Sequence, residues 1–335
     1  MAAANFPSFA PFSSSLPELT GHVLSFLEPQ DLRIVDSVSQ LFRWAVAGIC
    51  EERCRNEWFI PESLPPKVTL KQLILNQFPN AIRVDFFREY FGEVDMVPPI
   101  PRRFIEMAPR PGFKLVLIPE YITMSVGPNS PLMLDETIAV GGKKARLIED
   151  PERAPQGEAR EIRVPVTPNN YIMLAQTCLK KNLPSQFGGR SKYSCRNVLD
   201  QNGDVGVGPS HWSYQKKDVI GFGKPYHSQP DGEKGQVEIA KDEGLEIVPL
   251  GDRIVFRLSS HIKSGKIPRS GHFERTSTVV HDGRLHQASI FWGVDGVFGG
   301  VDGPVFRPSF GAICDCDEVG VAAQVPAGSS QAIGH

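Results

Sequence analysis

The sequence has no excess of charge and no long basic run. Its formal net charge is −2, from 36 Lys plus Arg against 38 Asp plus Glu, and its basic residues never form a long run. Nucleic acids and anionic membrane surfaces are bound through clustered positive charge. We therefore expect neither a nucleic-acid partner nor a membrane partner.

Long apolar segments are also lacking. No stretch approaches the roughly eighteen apolar residues of a membrane-spanning helix, and residues 1–15 have neither the charged nor the continuous apolar segment of a secretory signal. The 6 cysteines lack the regular spacing of a disulfide framework, which favours a reducing compartment. These absences together predict a cytoplasmic protein.

Catalytic and phosphate-binding motifs are missing as well. The sequence contains no G-x-S-x-G, no H-E-x-x-H, no G-x-x-x-x-G-K-[ST] and no strand-following G-x-G-x-x-G. The histidines between residues 200 and 300 are scattered, and such residues are more often surface or core residues than a triad, unless the fold brings one set together. We expect no enzyme activity, no catalytic residue and no cofactor.

Three local patterns could each supply part of a metal site. Cys50 and Cys54 would share a helix face, Cys314 and Cys316 would share a strand face, and a repeated G-V-D-G at 293–303 supplies two aspartates. Zinc needs four ligands and calcium six to eight, and the neighbouring sequence completes neither set. We expect buried thiols and a glycine-kinked strand turn, with no metal site.

The most informative segment is LPELTGHVLSFLEPQDL, at residues 16–32. Pro17 and Pro29 each suit the first turn of a helix, and acidic residues close behind favour the positive end of the helix dipole. Apolar spacing of three and four predicts three short amphipathic helices, with Leu19, Val23, Leu24 and Leu27 in the first and Leu32, Ile34, Val35, Val38, Leu41, Phe42 and Ala45 in the next two. A domain of about forty-five residues rarely buries all of its apolar surface, so we expect a partner.

This segment, the VSQLFR that follows at 38–43, and Trp58 together resemble an F-box. The resemblance covers residues 15–60 and implies binding to the Skp adaptor of cullin-RING ubiquitin ligases. It departs from the usual pattern at Ser39 and Phe42, where the family commonly has Cys and Trp. It also has one residue fewer between the opening Leu-Pro and the acidic residue that follows. A helical bundle that imitates the pattern is the alternative. The implied partner-binding residues are Leu16, Pro17, Val23, Leu24, Leu27, Pro29, Leu32 and Phe42.

The predicted fold class is α+β, with the three-helix F-box followed by a larger mixed domain that contains an antiparallel sheet. We expect a flexible N-terminus at 1–14, a helical linker at 61–85, the α+β domain at 86–324 and a disordered tail at 325–335. The predicted elements are helices at 68–78, from Pro168 behind a Thr167 cap, and at 250–265, strands at 114–124 and 161–166, and a hairpin at 276–293 that turns at Asp282-Gly283.

Landmarks of the larger domain resemble an uncharacterised group of F-box-bearing proteins of chlamydia-like intracellular bacteria. They are FREYFGEVDMVPPIP, LVLIP, SHWSYQKKDVIG, GLEIVP and the closing GVAA. The resemblance implies an effector that acts in the host cytoplasm. We interpret the chain as a substrate adaptor of an SCF ubiquitin ligase that recruits an unknown protein. A C-terminal domain with its own ligand-binding or catalytic activity, or a Skp competitor without a substrate, would also fit.

Aromatic residues of the larger domain are the predicted recruiting surface, because aromatic side chains dominate interface hot spots. Burial in the core would explain the same residues equally well. They are Trp212, Tyr214, Phe222, Tyr226 and Trp292.

Overall fold

The computed structural model describes residues 16–58, 61–126, 160–168, 170–171, 174–175, 207–264, 270–281, 285–294, 302–308 and 319–328. The chain divides into two compact units, the first made of residues 1–81 with 99–110 and the second of residues 82–98 with 111–335. All the described strands belong to the second unit, and helices occur in both. The predicted α+β fold class is confirmed.

The described helices include all those predicted from the apolar spacing. They are Leu16–Leu24 (α1), Pro29–Asp36 (α2), Gln40–Arg53 (α3), Leu70–Gln72 (α4), Val84–Tyr90 (α5), Arg102–Met107 (α6), a helix described at 168, 170, 171, 174 and 175 (α7), Gln236–Asp242 (α8) and Leu250–Ser264 (α9). The π-helical turns Cys54–Trp58 and Leu73–Gln77 extend α3 and α4.

The described strands are Glu93–Val94 (β1), Phe113–Ile118 (β2), Tyr121–Val126 (β3), Arg160–Pro165 (β4), His211–Lys216 (β5), Glu246–Ile247 (β6), Ser270–His281 (β7), Leu285–Val294 (β8), Asp302–Pro308 (β9), Val319–Val321 (β10) and Ala323–Val325 (β11). They form three sheets with the strand orders β1-β3-β4, β2-β5-β11-β6 and β10-β7-β8-β9. The strand predicted at 114–124 is therefore two strands, β2 and β3, which lie in different sheets.

The three N-terminal helices are fixed to one another by caps and by one arginine. The Ser39 hydroxyl accepts a hydrogen bond from the Phe42 backbone N–H at 3.2 Å and so caps α3. From the other end of α3, Arg53 Nη2 donates to the carbonyl oxygens of Ser25 at 2.7 Å and Leu27 at 2.6 Å. These carbonyls lie in the turn that follows α1, so the guanidinium joins the end of α3 to the segment between α1 and α2.

The helix predicted as a linker lies in the first unit, where it packs against α2 and α3. Leu73 and Ile74 are fully buried, Lys71 forms an ion pair with Asp36, and Gln77 Nε2 donates to the Ile105 carbonyl at 3.4 Å. The observed division of the chain thus differs from the predicted one at residues 60 and 85. Periodicity predicted the helix correctly, but it does not indicate which neighbour the apolar side packs against.

Antiparallel pairing dominates the sheets of the second unit. β7 and β8 form the predicted hairpin, in which His281 pairs with Leu285, while the predicted turn at 282–283 lies outside the described residues. β8 and β9 are also antiparallel, with Gly293 opposite Gly303, which agrees with a strand turn for the G-V-D-G repeat; residues 295–301 are not described. β10 is the exception, because it pairs with β7 in parallel.

Aromatic packing beside α7 forms part of the core of the second unit. The Thr167 hydroxyl accepts from the Asn170 N–H at 3.2 Å, which confirms the predicted cap. Tyr171, in the first turn of α7, is fully buried, and its ring centroid lies 5.4 Å from that of Phe91 and 6.5 Å from that of Phe87. The predicted buried positions at 174 and 175 are also buried, whereas Cys178 is not described.

A buried charge network joins α9 to β5 and β7. The Arg253 Nε atom donates to Glu274 Oε2 at 2.7 Å, and Arg257 binds the same carboxylate. The remaining Arg253 nitrogens donate to the carbonyls of Lys216 at 2.8 Å and Lys217 at 3.1 Å. Burial opposes ionisation of Glu274, but the two arginines outweigh it and lower the pKa of its carboxyl. Because every charge in this cluster has a partner, we assign it a structural role.

Candidate partner-binding surface

Large apolar side chains are exposed mainly on the first three helices. Of the 10 large apolar residues that are strongly exposed in the described part of the chain, 7 lie between residues 19 and 44. We call these seven the apolar set. They are Leu19, Val23, Phe26, Ile34, Val38, Leu41 and Trp44, with between 47% and 76% of each residue exposed.

Three members of the apolar set lie on α1 and in the turn after it. Leu19 and Val23 are four residues apart and so share one face of α1, and Phe26 follows in the turn directly after the helix. Leu24, predicted on the same stripe, points inward and is only 6% exposed. The predicted single stripe is thus two faces: one packs in the first unit and the other meets solvent.

The predicted partner-binding residues have different surroundings. Val23 is exposed, Leu27 and Phe42 are half-buried, and Pro29 is buried. Leu24 and Leu32 are core residues, with Leu32 fully buried, so neither can contact a partner in this conformation. The side chains of Leu16 and Pro17 lie outside the described part of the structure.

Sequence reasoning missed Phe26 and Trp44, the two most exposed members of the apolar set at 76% and 73%. The signal for Phe26 was its position three residues after the exposed Val23, in the turn that ends the first amphipathic segment. The signal for Trp44 was its step of three from the exposed Leu41 within α3. Neither spacing indicates an exposed residue until the buried side of each helix is known.

Charged residues of both signs accompany the apolar set. Glu28, Asp31, Arg33 and Arg43 are all exposed, and Arg43 Nε donates to the Asp36 carbonyl at 3.3 Å. An apolar area with a mixed-charge surround is typical of protein–protein interfaces. A nucleic acid or an anionic lipid surface would require one dominant sign of charge.

The described thiols are structural. Cys50 and Cys54 are both buried thiols, as predicted. Burial raises the pKa of Cys50 to about 11, although the charges of Arg53 and Lys71 act in the opposite direction. A thiol with such a pKa is protonated at neutral pH and is a poor metal ligand and nucleophile. Cys314 and Cys316 are not described.

In the second unit, the His211 side chain contacts the carboxylate of Asp252, a residue distant in the sequence. His211 Nε2 lies 2.8 Å from Asp252 Oδ2, and its Nδ1 lies 2.9 Å from the Pro209 carbonyl oxygen. Both neighbours are acceptors, so both contacts are hydrogen bonds only when the ring carries two protons. Burial lowers the pKa of His211, but Asp252 and the Pro209 carbonyl outweigh it and raise the pKa overall. Both ring nitrogens already face acceptors of the fold, so neither is directed at a position where it could take a proton from a substrate.

Most of the predicted recruiting aromatics belong to the core. Trp212, Tyr214 and Tyr226 are buried, and Trp212 Nε1 donates to the Pro98 carbonyl at 2.9 Å. The recruiting-surface prediction is therefore wrong for these three residues, because neighbouring elements cover both their rings and their polar atoms. Phe222 is exposed, and the side chain of Trp292 is not described.

No protein-family model, no curated protein and no solved structure matches this chain. Within the described segments, no helix has both the length and the apolar character needed to cross a membrane. Those same segments contain no group of three or more His, Cys, Asp or Glu residues arranged to hold a metal ion. The apolar set is therefore the feature of the described structure that defines the candidate site.

Proposed function

We propose that the chain is an F-box-type adaptor that binds Skp through α1 to α3 and recruits a protein substrate to a cullin-RING ubiquitin ligase. The observation that carries the proposal is the concentration of the apolar set on these three helices and the turns that join them. The substrate would be bound by the second unit. Action in a host cytoplasm as a bacterial effector is the extension that the whole-chain resemblance suggests.

The energetics of the apolar set support association with a partner. Complete burial of one Leu, Val, Ile or Phe side chain is worth about 1.5–3 kcal/mol. The side chains of the set retain a large part of their surface in water, at 47–76% exposure. An apolar groove that covered several of them would recover a substantial share of this free energy, in the manner of a helix docking into a groove.

The inner side of the same helices supports a preformed surface. Leu24 and Leu32 are buried within the first unit, and Arg53 binds two carbonyls of the turn that follows α1. The outward residues are therefore held by helices that are already packed. A partner that binds a preformed surface loses less free energy in ordering the chain.

Co-purification with Skp tests the proposal most directly. Substitution of the buried Leu24 would unfold the unit and so confuse binding with stability; the informative changes are Val23→Asp and Ile34→Asp, at exposed positions. Each should abolish co-purification with Skp and leave the thermal unfolding midpoint nearly unchanged. The matched control is Met96→Asp, because Met96 is 71% exposed but lies in the second unit.

Retention of Skp by both apolar-set variants, or failure of the unsubstituted protein to bind Skp, would contradict the proposal. Reconstitution with the cullin and RING subunits then separates an adaptor from a competitor. An adaptor supports ubiquitylation of a bound protein. A Skp competitor binds but prevents assembly of the cullin.

A further inference from the structure

Three lysines of the second unit lie close together without a described counter-charge. Lys114, on β2, is half-buried, and its Nζ donates to the Ser260 hydroxyl of α9 at 3.4 Å. Lys217, directly after β5, is two residues beyond Gln215, the residue paired with Lys114, and its N–H donates to the Gly112 carbonyl at 2.8 Å, so it lies on the same face of the β2–β5 pair as Lys114. Lys263 is three residues beyond Ser260 and so lies on the same side of α9. Both lysines are exposed, and their charges act on Lys114. No carboxylate of the described residues forms an ion pair with any of the three.

Other basic residues of the second unit form ion pairs with carboxylates. Lys216 binds Glu243 at 2.8 Å, Lys224 binds Glu233 at 2.9 Å, and Lys234 binds Asp242 at 2.6 Å. Arg253 and Arg257 share Glu274. None of these ion pairs includes Lys114, Lys217 or Lys263.

The end of α9 offsets only part of this charge. A helix carboxyl end carries the equivalent of about half a negative elementary charge, which accounts for a lysine such as Lys263 in the last turn. The combined positive charge of the three ammonium groups is much larger than this partial negative charge. Burial and the repulsion of Lys263 and Lys217 lower the pKa of Lys114 to about 8, as expected where the compensation is incomplete.

We propose that the amino groups of Lys114, Lys217 and Lys263, with the Ser260 hydroxyl, bind an oxyanion of the size and charge of phosphate. Lysine ammonium groups bind phosphate oxygens as point charges. Ser260 Oγ accepts from Lys114, so its own hydrogen can be donated to an anion oxygen. The half-buried Lys114 would form the floor of the site and the two exposed lysines its sides. This site is independent of Skp binding, since it uses other residues of another unit.

Calorimetric titration of the full chain with inorganic phosphate tests the site, with sodium chloride at equal ionic strength as the reference. The unsubstituted protein should give saturable binding. Lys114→Met should weaken it at least about tenfold, because a hydrogen bond to a charged group is lost. Lys234→Met is the matched control, because Lys234 is exposed and paired with Asp242, and it should bind phosphate like the unsubstituted protein.

A second measurement keeps the test valid if Lys114→Met does not fold. Lys217→Met combined with Lys263→Met changes only exposed residues and should weaken binding to a similar extent. Phosphate should also raise the pKa of Lys114, followed by NMR of carbon-13-labelled lysine. Absence of saturable binding to the unsubstituted protein, or equal affinity in the variants and the control, would overturn the proposal.

Discussion

Glu274 is the residue whose loss should destabilise the second unit most clearly. Its side chain and that of Arg253 are both 0% exposed, and Arg257 also binds its carboxylate. The substitution Glu274→Gln keeps the shape but removes the negative charge, so the two arginines lose the carboxylate that both of them bind. Breaking a buried ion pair from one side costs about 3–5 kcal/mol. That loss is a large fraction of the roughly 5–15 kcal/mol that stabilises a typical domain.

Urea unfolding followed by circular dichroism measures this loss. With a slope of about 2 kcal/mol per molar urea, the midpoint should fall by about 2 M. The matched control is Glu243→Gln, which removes the partner of Lys216 from a more exposed pair and should change stability by at most about 1 kcal/mol. A loss below about 1 kcal/mol for Glu274→Gln would refute the reasoning that the network is fully desolvated.

The same residue should affect the acid limb of the stability profile. The folded-state pKa of Glu274 is lowered, so its stabilising contribution is present above the unfolded value of about 4.3 and is lost as the pH falls. The unsubstituted protein should therefore lose stability more steeply than Glu274→Gln between about pH 5 and pH 3. Parallel profiles for the two proteins would contradict this.

Three further outcomes follow from the geometry. Because the folded-state pKa of His211 is raised, His211 stabilises the fold fully below its unfolded-state pKa of about 6.5, and this contribution is lost as the pH rises through the folded-state pKa. The urea midpoint of the unsubstituted protein should therefore fall over this pH range, and the midpoint of His211→Gln should not show this fall. In urea unfolding, Leu32→Ala should lower the free energy of unfolding by about 2–5 kcal/mol, whereas Ile34→Ala should change it by no more than about 0.5 kcal/mol. Equal losses of stability would contradict the assignment of inward and outward faces. Cys50 should resist alkylation at pH 8 until the protein unfolds, as mass spectrometry can detect, and rapid labelling of the native protein would contradict its burial.

Local elements were predictable because they depend on short-range spacing. In α9, the steps of four between Ile254, Leu258 and Ile262 predicted a buried helix face, and all three residues are buried. The Thr167 cap and the hairpin between β7 and β8 were readable for the same reason. Each signal lies within about a dozen residues of the element that it specifies.

Contacts between distant residues were not predictable in this way. His211 and Asp252 are separated by 41 positions, and Lys114 and Ser260 by 146. Apolar residues occur on both sides of α1, so periodicity alone could not separate the inward Leu24 from the outward Val23. Only the packing of α1 against α3 makes that distinction, and it depends on tertiary structure.

The two short strands near the end of the described chain have a consequence for biosynthesis. Only Ala322 separates β10, at the edge of one sheet, from β11, which lies between β5 and β6 in another. During translation, β5 and β6 therefore emerge long before the strand that joins them. Until residue 325 has left the ribosome, their edges remain open to chaperones or to neighbouring nascent chains. A stop codon before residue 319 would make that vulnerable intermediate permanent.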